Sequence, residues 1–330
     1  MHYTAHRAKL WMGISCLVLG QWTLSLLDTA GKLLTLAGYH VVMIAWMRYT
    51  INTVFMAVTL APLYKRRTGK SILHSKRPKL QILRAALLLV STLVFFSVLK
   101  IVPLSEGTAM NFCAPLLVLA LSPWLLGEKS YPSRWIAVAV GFIGMLIVMR
   151  PGGAIVPAGV ALGITSAAIF ALVSVLTRKT NQIDDPRVTL FYGGLVGMIA
   201  SSLIVPFFWS SHVPTTTEWM ILASTGITST VGHLFVNTAY KNAEASLLSP
   251  FFYLQIISAT VMGWLVFHQL PDALTALGIG VICASGMGIA YIEHRRSHPI
   301  AATLDTEMTV AVLDQATGGD RDRSLASSRD

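Results

Sequence analysis

The chain has 330 residues, of which 54% are apolar and 12% charged, about half the charged share of an average soluble domain. Its formal net charge of +10 sits in short breaks between apolar runs, where lysine and arginine fix membrane orientation rather than hold nucleic acid. A soluble globular fold and a nucleic-acid partner are thereby excluded, and the bilayer becomes the first expected partner.

A hydrocarbon core about 30 Å thick needs roughly 20 apolar helical residues per crossing. Runs of that length recur from Leu10 to Ile292 and predict ten spans: 11–34, 41–62, 85–104, 107–127, 132–149, 154–177, 188–209, 219–240, 245–267 and 273–292. Helix is the expected secondary structure, since the alternating segments of a membrane barrel are absent. The first run is too long, and lacks the small-residue cleavage site, for a removable signal peptide. It reads as span one. The third needs Lys100 to snorkel from its end. Cys16, Cys113 and Cys283 fall inside apolar runs without a CxxC or a metal-spaced histidine, so they read as small hydrophobes. No metal and no cofactor are expected.

With a cytoplasmic N-terminus, the inner segments hold Arg7 and Lys9, the basic loop Lys65–Arg84, Lys129 and Arg134, Arg178, Lys179 and Arg187, Lys241, and the tail from Arg295. The outer segments keep only Lys100 and Arg150. The positive-inside rule then places both termini in the cytoplasm and the chain in a cell inner membrane. Residues 293–330 lack an apolar face and read as a disordered tail.

At an offset of 141 residues, Lys100 falls on Lys241, Ser105 on Ser246, Leu126 on Phe267 and Ala137 on Gly278. With ten spans this predicts two five-helix repeats, 1–150 and 151–292. Five is odd, so the second enters the membrane from the opposite side, an architecture recurrent in secondary transporters. The predicted fold class is all-α, a polytopic membrane protein of ten transmembrane helices in two inverted repeats.

Ionisable groups in hydrocarbon are costly and call for an explanation. Span one carries Asp28 and Lys32, four apart on one helical face, and span two carries Arg48. Either Asp28 pairs with Lys32 while Arg48 braces the bundle, or the three leave one positive charge for an acidic substrate group. Span eight carries His233 and Asn237, again four apart. His233 is either a neutral interhelical hydrogen-bonding group or a proton-sensitive site. Tyr253 and Gln255 in span nine are expected on different faces, with one lining the pathway. Asn111 and Trp22 offer hydrogen bonding and stacking, or packing alone. Pairs such as Gly141 and Gly144, Gly193 and Gly197, and Gly286 and Gly288 read as close helix contacts, and Pro115 and Pro250 as kinks in spans four and nine.

Several segments together resemble the EamA-type branch of the drug/metabolite transporter superfamily. In the first half these are Trp46-Met47-Arg48-Tyr49, Phe95-Phe96-Ser97-Val98-Leu99-Lys100, Ala114-Pro115-Leu116, Leu126-Gly127-Glu128 and Gly141. In the second they are Gly232-His233, Ala239-Tyr240-Lys241, Ala245-Ser246, Tyr253-Leu254-Gln255 and Gly263-Trp264. His268-Gln269 stands where that family often has Gly-Glu. The resemblance implies a secondary transporter that moves a small polar organic metabolite by alternating access. Riboflavin, S-adenosylmethionine or an amino-acid-like compound is the implied substrate, with protons as a candidate coupling ion and a monomer or homodimer as the unit. No Walker A loop is present, so ATP is not hydrolysed by this chain.

Two other classes compete. An integral-membrane enzyme acting on a lipid-linked substrate needs clustered carboxylates, and the inner loops offer only Asp184-Asp185. A non-transporting membrane sensor is separated from a transporter only by flux.

Overall fold

A computed structural model describes residues 2–114, 116–118, 120–121, 132–149, 157–209, 213–242, 249–289 and 291–292. Glu128, Pro115, Ala245-Ser246 and the tail 293–330 lie outside the described residues. All regular structure among the described residues is helical: α1 (His2–Leu36), α2 (Val41–Thr68), α3 (Pro78–Ile101), α4 (Leu104–Asn111), α5 (Pro132–Met149), α6 (Pro157–Asn181), α7 (Pro186–Ile204), α8 (Thr216–Asn242), α9 (Leu254–Phe267) and α10 (Ala273–Ile289). By length and composition, α2, α3, α6, α7 with its short extension to Phe208, and α8 are each long and apolar enough to cross a membrane.

Local chemistry sets the ends. Proline occupies the first position of α3 and α7, where its missing N–H has no partner to lose. Asp185 caps α7 by accepting from the Arg187 N–H at 2.8 Å. Thr215 and Glu218 cap α8 reciprocally, the Thr215 N–H donating to Glu218 Oε2 at 2.7 Å and the Glu218 N–H to Thr215 Oγ1 at 3.3 Å. Gly69, at φ 69°, takes the left-handed conformation that ends α2. Within the helices, hydroxyls such as Thr53, Thr92 and Ser174 bond the carbonyl four residues back, which satisfies them without water.

Three expectations about the spans are corrected. Span three begins at Pro78, seven residues before its expected start, so Arg84 is a buried residue of the helix and not part of the basic loop. Span four is interrupted: α4 stops at Asn111, a turn covers Phe112 and Cys113, and helix resumes at Ala114. Span nine is not α-helical through Pro250. A 3-10 turn over Ser249–Tyr253 precedes α9, as expected where proline withholds its N–H from the α ladder.

The packing is pseudo-symmetric. The most extensive contacts are those of α1 with α8 and of α3 with α6. Exchanging the two five-helix halves turns one pair into the other. The α2–α7 and α4–α9 contacts map onto themselves, and α2–α8 maps onto α3–α7. Residue-level contacts obey the same exchange. A Cβ on Gly144 would meet the Gly278 carbonyl at 3.0 Å, and the Ser285 hydroxyl donates to the Ala137 carbonyl at 2.6 Å. The 141-residue offset carries the first contact onto the second. Gly288, by contrast, faces open space and makes no close helix contact.

Each end of the bundle is clasped by equivalent loops. At one end His40 stacks on Phe208 with centroids 4.3 Å apart, and Trp46 Nε1 donates to Ser202 Oγ at 2.9 Å. At the other, Asp184 accepts from the Ser75 hydroxyl, from the Lys76 N–H at 3.0 Å and from Gln81 Nε2 at 2.9 Å. Partial burial pushes the Asp184 carboxyl up, but those hydrogen bonds and the Lys76 charge outweigh it and hold the group below its ordinary value. A depressed carboxylate contributes stability above its unfolded pKa and loses it as pH falls through the folded pKa. Asp184→Asn should therefore unfold at a slightly lower temperature than the wild type at neutral pH. The gap should close as pH falls below about 4, which a thermal-shift series across pH measures. A gap that persists unchanged in acid would show that the anchor does not depend on charge.

Candidate functional site

A cavity of about 620 Å³ lies between the two halves. Its walls come from the middle of the bundle, with Asp28, Arg48, Thr92, Phe95, Asn111 and His233, and extend toward the end where α1 begins, with Arg178, Phe252 and Ile289. The opposite end is packed shut by Leu27, Leu34, Tyr39, Met43, Phe96, Leu99 and Leu104. Among the described residues the cavity therefore reaches toward the end where α1 begins.

Six of the nine residues singled out in the sequence line this space: Asp28, Arg48, Asn111, His233, Tyr253 and Gln255. Asn111 Oδ1 accepts from the Ser166 hydroxyl at 3.4 Å, a link between α4 and α6. Asp28, only 6% exposed, accepts a 3.2 Å hydrogen bond at Oδ2 from Gln255 Nε2. Arg48, 9% exposed, donates from Nε to Ser229 Oγ at 3.1 Å and from Nη1 to Thr92 Oγ1 at 3.3 Å, and lies over the Tyr49 ring. The guanidinium is thus held by α8 and α3 through neutral hydroxyls. His233 shares the wall with Arg48 and lies within electrostatic range of both Arg48 and Arg84.

The pairing of Asp28 with Lys32 is not found. Lys32 points away from the cavity into the closed end, where Nζ donates to the Val102 carbonyl at 2.7 Å and to Gln269 Oε1 at 3.3 Å and sits over the Phe267 ring. Four residues along a helix place two side chains on one face, but α3 and α9 supply nearer acceptors for the longer one. Gln269 occupies the place where the family resemblance led to a glutamate, and here it is the neutral acceptor for Lys32. Its neighbour His268, at φ 53°, takes the left-handed conformation that glycine adopts without strain.

Trp22 is 36% exposed and does not line the cavity, and neither does Asn237. Tyr253 and Gln255 line it together, contrary to expectation. Tyr253 belongs to the 3-10 turn rather than to α9, so the 100° per residue of an α-helix does not separate the two. Its ring packs against Phe112 at 5.5 Å and reaches over Gly286.

Sequence reasoning missed two buried polar residues at the end where Asp184 meets Ser75. Arg84 donates from Nε to Thr177 Oγ1 at 2.9 Å and from Nη1 to the Thr189 carbonyl at 3.2 Å, while Gln81 joins Asp184 to Thr189. The available signal was Pro78: a helix starting there puts Gln81 and Arg84, three apart, on one face. Asp184 and Asp185 are occupied in loop anchoring and helix capping. Among the described residues, no three metal-ligating side chains gather.

The sequence profile of a family described as "EamA-like transporter family" matches residues 11–150 and again 157–291. A relative described as an S-adenosylmethionine uptake transporter, from Rickettsia prowazekii (strain Madrid E), is 25% identical over 283 residues, spanning 86% of this chain and 94% of that protein. A riboflavin transporter from Rhizobium johnstonii is 25% identical over 234 residues, 71% of this chain and 77% of its own. An uncharacterized transporter from Helicobacter pylori (strain ATCC 700392 / 26695) is 29% identical over 204 residues, 60% of this chain and 68% of that protein. One solved chain, described only as "Crystal structure of protein", superposes with a TM-score of 0.59 at 21% identity, over 86% of this chain and 99% of that one. At that identity the likeness speaks for the fold alone.

Proposed function

This chain belongs to the EamA-like transporter family, and on that premise we propose that its central cavity carries a small polar metabolite with an acidic group, which Arg48 orients. Small-metabolite transport in a membrane is the class that the family and the transporter relatives establish. The observation that carries the finer reading is the chemistry around Arg48. Two neutral hydroxyls hold its guanidinium at the cavity wall, and no carboxylate contacts it among the described residues. Five N–H donors in a fixed fork exceed what those two partners use, so the cavity offers a preformed seat for a carboxylate or phosphate.

Orientation follows from the distribution of basic residues: an inner-membrane protein with both termini in the cytoplasm and a cavity open inward. In this reading the Lys32–Gln269 contact closes the outer side, and the inverted halves supply a second state of similar energy. His233 is the titratable ring on the wall and the candidate for proton coupling. The tail 293–330 stands outside the transport unit.

Purified protein in proteoliposomes, given labelled S-adenosylmethionine or riboflavin with and without an imposed pH gradient, tests the reading. Saturable accumulation of S-adenosylmethionine, which carries a carboxylate for Arg48, enhanced by the gradient, is the expected result; accumulation of riboflavin alone, which has no acidic group, would overturn the role of Arg48. Accumulation of neither, from protein that remains folded, would count against these substrate classes, and gradient-independent uptake would remove the proton.

A further inference from the structure

We propose that the connection between α2 and α3 is a docking surface for the anionic glycerophospholipids of the leaflet it borders. This partner holds one end of the bundle and is independent of what the cavity carries. Lys65, Arg66 and Arg67 stand in the last turn of α2, a helix of 28 residues whose end extends past the roughly 20 that a hydrocarbon core requires. Lys70, Lys76 and Arg77 follow in the connection, and Lys79 stands in the first turn of α3. All are exposed. Among the described residues no carboxylate forms an ion pair with any of them, although Lys76 lies within electrostatic range of Asp184. The dipole at the start of α3 disfavours a cation, so helix stability does not account for Lys79.

The surface is preformed. Ile72 is buried in an apolar cluster with Met56, Tyr64, Val188 and Phe191. The Tyr192 hydroxyl donates to the Leu73 carbonyl at 2.9 Å, and Asp184 accepts from the Ser75 hydroxyl and the Lys76 N–H. The Arg77 N–H donates to Ser75 Oγ at 3.1 Å. The cations are thus presented on a backbone already fastened to α7 and the loop before it, and little ordering remains to be done on binding.

What lies beneath the charge points to a lipid. On α2 the exposed Val54, Val58 and Leu63 lead at helical spacing to Arg66 and Arg67. On α3, Lys79 stands one turn from the exposed Ile82 and Leu83. A basic rim over apolar helix faces matches a phosphodiester headgroup with its acyl chains. A soluble polyanion would leave the apolar part unused, and a zwitterionic lipid already carries an ammonium for its own phosphate. The equivalent connection of the second half, between α7 and α8, exposes Phe207, Trp209 and Val213, and no lysine or arginine occurs from 188 to 240. The fold therefore does not require the charge. Orientation requires only an excess of positive residues, whereas a headgroup site also needs the fixed backbone and the apolar faces found here.

The test titrates the purified full-length protein, in neutral detergent at low salt, with phosphatidylglycerol or with phosphatidylcholine of the same acyl chains. Binding is read as the shift in unfolding temperature. Phosphatidylglycerol should stabilise the wild type at a lipid fraction at least about tenfold lower than phosphatidylcholine needs, and the preference should fall below about threefold in roughly 1 M salt. Each cation near an anionic surface adds roughly fivefold to association, so Lys70→Gln/Lys76→Gln/Lys79→Gln should need at least about tenfold more phosphatidylglycerol. The tail variant Arg295→Gln/Arg296→Gln/Arg321→Gln removes the same charge and should cost less than about threefold. Equal stabilisation of the wild type by the two lipids overturns the proposal whether or not either variant folds, and so does a preference that survives high salt. An unchanged lipid requirement in the folded loop variant, or an equal loss in the tail variant, overturns it as well. Protection by inorganic phosphate or a single-stranded oligonucleotide equal to that by phosphatidylglycerol would replace the lipid with a soluble anion. No flux is read, so failure of the transport reading leaves this result untouched.

Discussion

Arg48→Ala should abolish transport, and Arg48→Lys should insert and fold yet bind substrate roughly tenfold to a hundredfold more weakly. A hydrogen bond to a charged group contributes about 1.5–3 kcal/mol, and lysine can hold a carboxylate only through a point charge, without the paired donors of a planar fork. Lysine also gives up at least part of the bracing by Ser229 and Thr92, so the charge that remains is less well aimed. A different outcome separates binding from bracing. If Arg48 only ties α2 to α8 and α3, both variants should fail to accumulate as folded protein. A folded Arg48→Lys with undiminished affinity, measured by thermal shift and by uptake, would end the binding role.

Gly286→Ala should reduce transport by at least about tenfold while leaving the protein in the membrane. A Cβ built on Gly286 lies 1.4 Å from the Tyr253 hydroxyl oxygen and 2.1 Å from the ring carbon that bears it, so the ring cannot stay where it is. Overpacking of this kind costs about 1–3 kcal/mol when the structure must rearrange around it. Here the displaced group is a cavity wall, and moving it carries Phe112 with it, since the two rings are in contact. Tyr253→Leu removes the obstructing atoms and should restore part of the activity in the double variant, a coupling that independent sites do not show. Full activity in Gly286→Ala alone would mean that the Tyr253 ring turns aside freely and does not shape the path.

His40 stacks on Phe208 at one end of the bundle and Asp184 accepts from Ser75 at the other. Between them the cavity reaches toward the end where α1 begins, while Lys32 is held at the opposite end by the Val102 carbonyl and Gln269.

The apolar runs determined the membrane class, the helices and the inverted repeat, because a bilayer leaves few ways to satisfy a backbone and fixes the length of each crossing. They also located Asp28, Arg48 and His233 on the cavity wall, since a charge in hydrocarbon stands out against its neighbours, but not Gln21 or the hydroxyls of Ser91, Thr92 and Ser174. Arg84 escaped because it sits at the edge of a basic loop, where one more positive charge carries no contrast. Helical periodicity gave the common face of Asp28 and Lys32 but not their partners. Asp28 meets Gln255 across 227 residues of sequence, and Lys32 meets Gln269 across 237. Which acceptor a flexible lysine reaches depends on how neighbouring helices are rotated and how far they slide, and a single helix's pattern contains neither quantity. For the same reason Tyr253 and Gln255 could be separated on paper and still face one cavity, once Pro250 gave the chain a 3-10 turn. The bundle alone decided which neutral partner each buried charge meets and which of them line the cavity, because both are properties of contacts between helices far apart in the chain.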